Sequence, residues 1–234
     1  MKTIISVCIL LIFQGIVNGQ TKTIVYERSP NIEYQLRNEF RPEVRQRVTE
    51  MLKSKVKLYK LMISEEVSSY SQNQQVKASM TSFELTKIKG HYKDLRKEEL
   101  SVEIQIQEDD YFIKDNLSLF ELKELDEEQK ILDYKCKAYT ATRGDESYVF
   151  WVTKEPDIIN GPAEFHCKEG LILQVDAKSY SLTAKSLERT KKKKSPNIPT
   201  PSKRAKILTY DEYNSLIDEI KKSMISTMQL KQGN

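Results

Sequence analysis

The chain is short of the residues on which many active sites are built. Only seven glycines are present in 234 residues, and they are scattered singly. No Gly-rich phosphate loop exists, which excludes a nucleotide cradle of the P-loop or dinucleotide type. The two histidines, His91 and His166, exclude a His-rich metal cage. Neither His-Glu-x-x-His nor Gly-x-Ser-x-Gly occurs. Cysteine is scarce as well, with three residues, and there is one tryptophan. Past the N-terminal segment no apolar run is long enough to span a bilayer as a helix.

These shortages leave little room for catalysis. His166 and Cys167 are neighbours, so in a strand their side chains would point to opposite faces, a poor arrangement for a nucleophile and its base. Cys136, His166 and Cys167 lack the short ligand spacings of zinc sites. No metal and no cofactor is expected. The carboxylate pairs Asp109-Asp110 and Glu127-Glu128 fall at predicted turns and read as solvated.

What is present begins with an export signal. Lys2 precedes an apolar run, Ile4 to Phe13, and Val17-Asn18-Gly19 supplies small residues before Gln20. Residues 1–19 read as a secretory signal peptide. Its removal takes Cys8 and leaves Cys136 and Cys167. Two cysteines in an exported chain predict one disulfide, a loop closure stabilising by roughly 3–4 kcal/mol. Two unpaired thiols are the other arrangement.

The mature charge is mild but unevenly spread. With Lys2 gone, 37 basic and 34 acidic residues leave +3. Residues 185–206 hold nine basic side chains, including Lys191, Lys192, Lys193 and Lys194, against the single acid Glu188. An acidic body therefore carries a basic strap. The lysine run suits an anionic surface, although it reads first as a solvated linker. No aromatics interleave with it to stack bases, so nucleic acid is not an expected partner.

Along the chain, Thr23-Ile24-Val25-Tyr26 predicts a strand. Pro42 opens a helix whose apolar stripe is Val44, Val48, Leu52 and Val56. A strand follows, ending near Glu65, and the Ser- and Gln-rich 68–78 reads as a loop. After Gly90 the pattern is β-like. Val102, Ile104 and Ile106 alternate with polar residues, and Tyr111 to Ile113 forms the next strand. Leu117, Phe120 and Leu122 lead to a third, with an acidic turn at 126–128. Three prolines, Pro196, Pro199 and Pro201, keep the strap extended. Thr209 and Glu212 form a capping box for an amphipathic helix over 210–228, expected to dock on the sheet.

The stretch Ile131 to Val175 organises the rest. It contains Trp151, both remaining cysteines, His166 and a Gly-Pro turn. Its strands alternate across Arg143-Gly144-Asp145-Glu146, and Tyr148 to Thr153 has apolar residues on both faces, as in a strand covered on both sides. Trp151 and Phe165 read as core aromatics, with a ligand wall as the other role. Consecutive strands with short turns predict an α+β fold, mainly an antiparallel meander with a C-terminal amphipathic helix. Four parts are expected: a signal peptide over 1–19, a β-rich domain over 20–184, the strap over 185–206, and the helix over 207–230.

The motif order in this stretch is Lys-Cys-Lys-Ala, then Trp-Val-Thr, Asn160-Gly161-Pro162, Phe165 and Gly170-Leu171-Ile172-Leu173. It resembles the GLPGLI family of exported Bacteroidetes proteins. The name motif falls on Cys167 to Ile172. Gly170, Leu171 and Ile172 match it, whereas Cys167, Lys168 and Glu169 stand where that family has Gly, Leu and Pro. The resemblance implies an exported protein linked to envelope transport and a curved, lipoprotein-carrier-like sheet. It makes Trp151, Gly161, Pro162, Phe165, Gly170, Leu171 and Ile172 the candidate interaction residues. The function expected from the sequence is a non-catalytic binding protein of the cell envelope, in the periplasm or at the outer surface. Its pocket would lie between sheet and helix, and its partner would be an envelope protein or a lipid-like ligand. A hydrolase or thiol oxidoreductase using Cys136 or Cys167 is the competing class.

Overall fold

The computed structural model describes residues 20–36, 41–73, 86–117, 120, 122–144, 146–190 and 195–232. The segment read as a signal peptide and the lysines at 191–194 lie outside these residues. The described chain is built on one sheet of twelve strands. In chain order these are β1 (Thr21–Pro30), β2 (Lys57–Ser64), β3 (Val67–Gln72), β4 (Thr86–Asp94), β5 (Glu99–Ile106), β6 (Asp109–Asn116), β7 (Leu122–Ile131), β8 (Tyr134–Arg143), β9 (Glu146–Thr153), β10 (Leu171–Ala177), β11 (Tyr180–Thr190) and β12 (Lys206–Leu208). Three helices, α1 (Ile32–Gln35), α2 (Pro42–Lys53) and α3 (Tyr210–Gln232), complete the fold. The α+β class with a mainly antiparallel sheet and a C-terminal helix is as the sequence predicts.

The order across the sheet is β12-β6-β5-β4-β3-β2-β1-β11-β10-β9-β8-β7. It consists of two meanders, β1 to β6 and β7 to β11. They are joined where β1 pairs antiparallel with β11, from Thr21 opposite Thr190 to Pro30 opposite Tyr180. The exception to antiparallel pairing is β12, which runs parallel to β6. It is the end of the proline strap, so the extended backbone that proline favours finishes as an edge strand. At the other edge, β7 carries a bulge between Glu124 and Glu128.

The sheet is strongly curved. Ile113 on β6 and Leu182 on β11 line one pocket of about 280 Å³. Six strand spacings separate those strands, which in a flat sheet is roughly 29 Å. The concave side is filled by the loop between β9 and β10, residues 154–170. Just beyond the loop, at the start of β10, the Ile172 carbonyl accepts from the Tyr26 hydroxyl on β1 at 2.6 Å. Phe120, Tyr148, Phe150 and Phe165 meet edge-on or tilted at 5.1–6.1 Å, the core of this half. A second core, built on Val102, Ile104, Ile106 and Ile113, is covered by Tyr213, Leu216, Ile217 and Ile220 of α3. The predicted capping box is formed: the Thr209 amide donates to Glu212 Oε2 at 2.7 Å, and the Glu212 amide donates to Thr209 Oγ1 at 3.3 Å.

Several local expectations are corrected. Within the stretch read as a loop, Val67–Gln72 is β3. Ser68 and Tyr70 face inward, and pairing on both sides by β2 and β4 outweighs the weak strand preference of serine. Asp109-Asp110 belongs to β6, because the turn falls one step earlier, at Gln107, whose φ is 56°. Residues 126–128 lie within β7, and the reversal into β8 is made by Leu132 and Asp133, both at positive φ. Of the predicted helix stripe only Leu52 is buried; Val44 is exposed on α2, and Val56, also exposed, lies beyond its end.

Candidate functional site

The pocket lies between β1 to β6, the β9–β10 loop and the start of α3. Its position between sheet and helix matches the expectation, but its wall is polar and aromatic rather than simply apolar. Tyr59 and Tyr70 stack at 5.2 Å with their rings nearly parallel, at 5°. Tyr70 meets His91 edge-on at 5.9 Å. On the helix side Tyr210 and Tyr213 make a T-shaped pair at 6.5 Å. The guanidinium of Arg28 lies over the Tyr180 ring, 4.3 Å from its centroid. Val102, Ile104 and Ile113 supply the apolar part of the lining.

Register explains how these side chains converge. Leu61 on β2 faces Tyr70 on β3, Tyr70 faces His91 on β4, and His91 faces Val102 on β5. This row crosses the concave face. A bulge between Ile88 and Gly90 breaks the alternation of β4, so Ile88 pairs with Ile104 while His91 pairs with Val102. Both therefore line the pocket although they are three residues apart.

The charged groups are few and unequal. Lys89 is neutralised by Asp110 at 2.8 Å and Glu103 at 3.4 Å. Glu164 reaches the wall from the β9–β10 loop, with its Oε2 3.5 Å from His91 Nε2. Burial pulls the His91 pKa below its ordinary 6.5, against the pull of Glu164, so the ring is neutral near pH 7. Its Nδ1 is closed to solvent and has no hydrogen-bond partner among the described residues. Arg28 has no carboxylate within ion-pair distance among the described residues.

Beneath the pocket sits Lys93, 1% exposed. Its Nζ donates to the Gly161 carbonyl at 2.6 Å and to the Phe165 carbonyl at 2.9 Å. Those two carbonyls bracket Ala163 and Glu164, so Lys93 fixes the segment that presents Glu164 to the pocket. Burial lowers the Lys93 pKa from 10.5 to about 7. A lysine held this way gives up solvation for two fixed acceptors and the field of Glu164.

The residues singled out from sequence form a scaffold around this site, not its wall. Gly161 is packed so tightly that a Cβ would lie 2.8 Å from both Ile172 Cδ1 and the Phe165 carbonyl oxygen. Gly170 has φ of 151°, and a Cβ there would collide with the Thr153 carbonyl. Pro162, Phe165, Leu171 and Ile172 are buried in the core. Trp151 is half-buried away from the pocket, where its Nε1 donates to Asp176 Oδ2 at 2.9 Å. In place of the expected disulfide, Cys136 and Cys167 are free, buried thiols. Cys136 donates to the Tyr134 carbonyl at 3.6 Å and Cys167 to the Gly170 carbonyl at 3.8 Å, each directed to its own local turn. Burial pushes their pKa values up to about 11 and about 12, which keeps both protonated and unreactive at neutral pH. Burial also lowers the pKa of His166 to about 4.

Among the described residues no group of three or more His, Cys, Asp or Glu side chains converges to hold a metal ion. Sequence reasoning missed Arg28, Tyr59, Tyr70, His91, Glu164 and Tyr180. The signal for Tyr59 and Tyr70 was their alternation with polar residues. Their convergence with Glu164 depends on long-range pairing that a single sequence does not encode legibly.

Comparison with known proteins gives this geometry a context. Residues 47–212 match the family model described as N-glycanase peptide, N-terminal domain. Among solved structures, PNGF-II in its C2 crystal form is similar with a TM-score of 0.52 and 17% identity, over 85% of this chain and 32% of that one. PNGF-II in its P21 form gives a TM-score of 0.55 and 16% identity, over 85% of this chain and 33% of that one. At such identity the likeness is one of fold. The chain spans about a third of the length of these structures. No curated protein matches it.

Proposed function

The chain belongs to the N-glycanase peptide, N-terminal domain family, and from that premise we propose that it is a non-catalytic domain that binds glycan on behalf of an N-glycanase activity carried elsewhere. The carrying observation is the tyrosine-walled pocket between sheet, β9–β10 loop and α3. Tyrosine rings offer flat apolar faces to the C–H side of a sugar, while His91, Glu164 and Arg28 offer hydrogen bonds to its hydroxyls. Glu164 is the sole carboxylate among the pocket-lining residues, whereas glycosidic hydrolysis ordinarily uses a pair. Buried, protonated Cys136 and Cys167 also speak against a thiol mechanism.

The setting in this reading is the exported envelope. It rests on the Lys2 and apolar-run signal, and on the GLPGLI-like Gly170-Leu171-Ile172 turn. The test is calorimetric titration of the full chain with a released biantennary N-glycan. Saturable binding that is lost in Tyr59→Ala is the expected result. Failure to bind at millimolar glycan, or native mass spectrometry showing lipid retained by the purified protein, would overturn it.

A further inference from the structure

Within that pocket, we propose that Arg28 is the seat of a carboxylate, so that the site takes an acidic sugar at the end of a glycan chain, its carboxylate on Arg28 and its hydroxyls toward Glu164. The inference rests on the glycan-binding reading and names the terminal sugar that the site takes.

The argument starts from register. Tyr26 on β1 lies opposite Tyr59 on β2, and Arg28 follows two residues on, so Arg28 and Tyr59 are diagonal neighbours on one face of the sheet. Both line the pocket, and Arg28 is exposed. Its neighbour Glu27 turns to the other face, where it pairs with Lys185 at 3.1 Å. The Arg28 guanidinium, over the Tyr180 ring, has no carboxylate within ion-pair distance among the described residues. The ring holds the cation in place without neutralising it. A guanidinium offers a planar fork of N–H donors, and a carboxylate is the group that matches the fork with two parallel bonds.

The charges of the wall agree. Those among the lining residues are Arg28, Lys89 and Glu164. Lys89 is matched by Asp110 and Glu103. Glu164 faces His91 and lies in the field of buried Lys93. Arg28 is the charge left over, and a singly charged carboxylate balances it where a doubly charged phosphate would overshoot. The charges are also ordered in space. Arg28 is on β1 and Glu164 stands against His91 on β4, three strand spacings apart, or roughly 14 Å of sheet. The site thus has a basic end and an acidic end. An acidic sugar is polarised the same way, with a carboxylate at one end and hydroxyls that donate at the other. A neutral sugar leaves the charge of Arg28 unmatched. The size agrees: about 280 Å³ lies just under the lower end of the roughly 300–1,000 Å³ of small-molecule sites. That suits a terminal sugar better than the branched body of a glycan. Lys93 acts here as a positioning residue, because its bonds to the Gly161 and Phe165 carbonyls set where Glu164 stands.

The test titrates the full chain with two probes, a biantennary N-glycan ending in sialic acid, which bears a carboxylate, and the same glycan desialylated. Calorimetry and the arginine Nε–Hε resonances are the readouts. The sialylated form is expected to bind about tenfold tighter and to shift the Arg28 resonance. Arg28→Gln, which keeps hydrogen bonding but removes the charge, is expected to bring the two affinities together. Equal or weaker binding of the sialylated form overturns the proposal. So does a preference for it that Arg28→Gln leaves intact, or one with the Arg28 resonance unmoved, although the glycan-binding reading stands in each of these cases. If neither glycan binds, both fall. Should Arg28→Gln not fold, the wild-type affinities and the Arg28 resonance still decide.

Discussion

The two meanders share one sheet and use it differently. On the β7–β11 side, the concave face is apolar: Tyr139, Ala141, Tyr148, Phe150, Val152 and Val175 are all buried on it. On the β1–β6 side, the same face carries Tyr70, His91 and Lys93 in adjoining positions, with Ser68 paired to Lys93. The first half is stabilised by burial of hydrocarbon. The second gives up part of that gain, since it buries the Lys93 amine among its strands. A fold that tolerates this cost in one half is relying on the other for its stability, and the costly half is where the pocket lies.

The sharpest way to break the contrast is Phe165→Ala. Phe165 is fully buried against Phe120, Tyr148 and Phe150, so its loss should cost about 3–5 kcal/mol in chemical denaturation. A loss below 1 kcal/mol would mean that the apolar half does not carry the fold.

Lys93→Met comes next. It orphans the Gly161 and Phe165 carbonyls and should cost about 2–3 kcal/mol near neutral pH. It should also abolish a pH dependence. The Lys93 pKa is lowered in the folded protein, from 10.5 to about 7, because burial disfavours the charge. Below about pH 7 both folded and unfolded chains carry the proton and the penalty is constant. Between there and 10.5 only the unfolded chain keeps it, so wild-type stability rises with pH. Buried Tyr26 and Tyr70, with raised pKa values, oppose this above their ordinary 10.0. Buried Cys136 and Cys167, raised from their ordinary 9.0, oppose it from lower pH, so denaturation midpoints from pH 7 to about 8.5 should climb in the wild type and stay flatter in the variant.

Tyr59→Ala sharpens the comparison from the other side. It removes one face of the Tyr59–Tyr70 stack. Glycan affinity should drop about tenfold, while the denaturation midpoint moves less than for Phe165→Ala. The smallest effect belongs to Trp151→Phe, which loses the bond to Asp176. A cost of about 1 kcal/mol and unchanged glycan affinity are expected. A binding defect there would return the ligand site to the residues first picked out by sequence.

How much was legible follows the same division. The alternation of Val102, Ile104 and Ile106 and the Thr209–Glu212 box report local physics, and both stand in the structure. Strand β3 was hidden because serine has no strong local preference, and its place is decided by β2 and β4 on either side. The Asn160-Gly161-Pro162 and Gly170-Leu171-Ile172 segments drew attention for their unusual residues. Those residues serve close packing: Gly161 against Ile172, Gly170 against Thr153. The loop's pocket-lining acid, Glu164, looks ordinary in sequence and gains its place only through Lys93, 71 positions earlier. Such a link joins residues remote in sequence through the concave face of the sheet, so no local pattern announces it.

The two ends of the sheet carry a consequence for association. A long open sheet invites further copies to add on, strand by strand. Here one end finishes in β12, three residues long, too short to template another chain. The other end, β7, is kinked by its bulge and lined with Glu124, Asp126, Glu127 and Glu128. A second copy meeting that edge would bring the same acids against it. Edge-to-edge addition is therefore disfavoured at both ends of the described sheet.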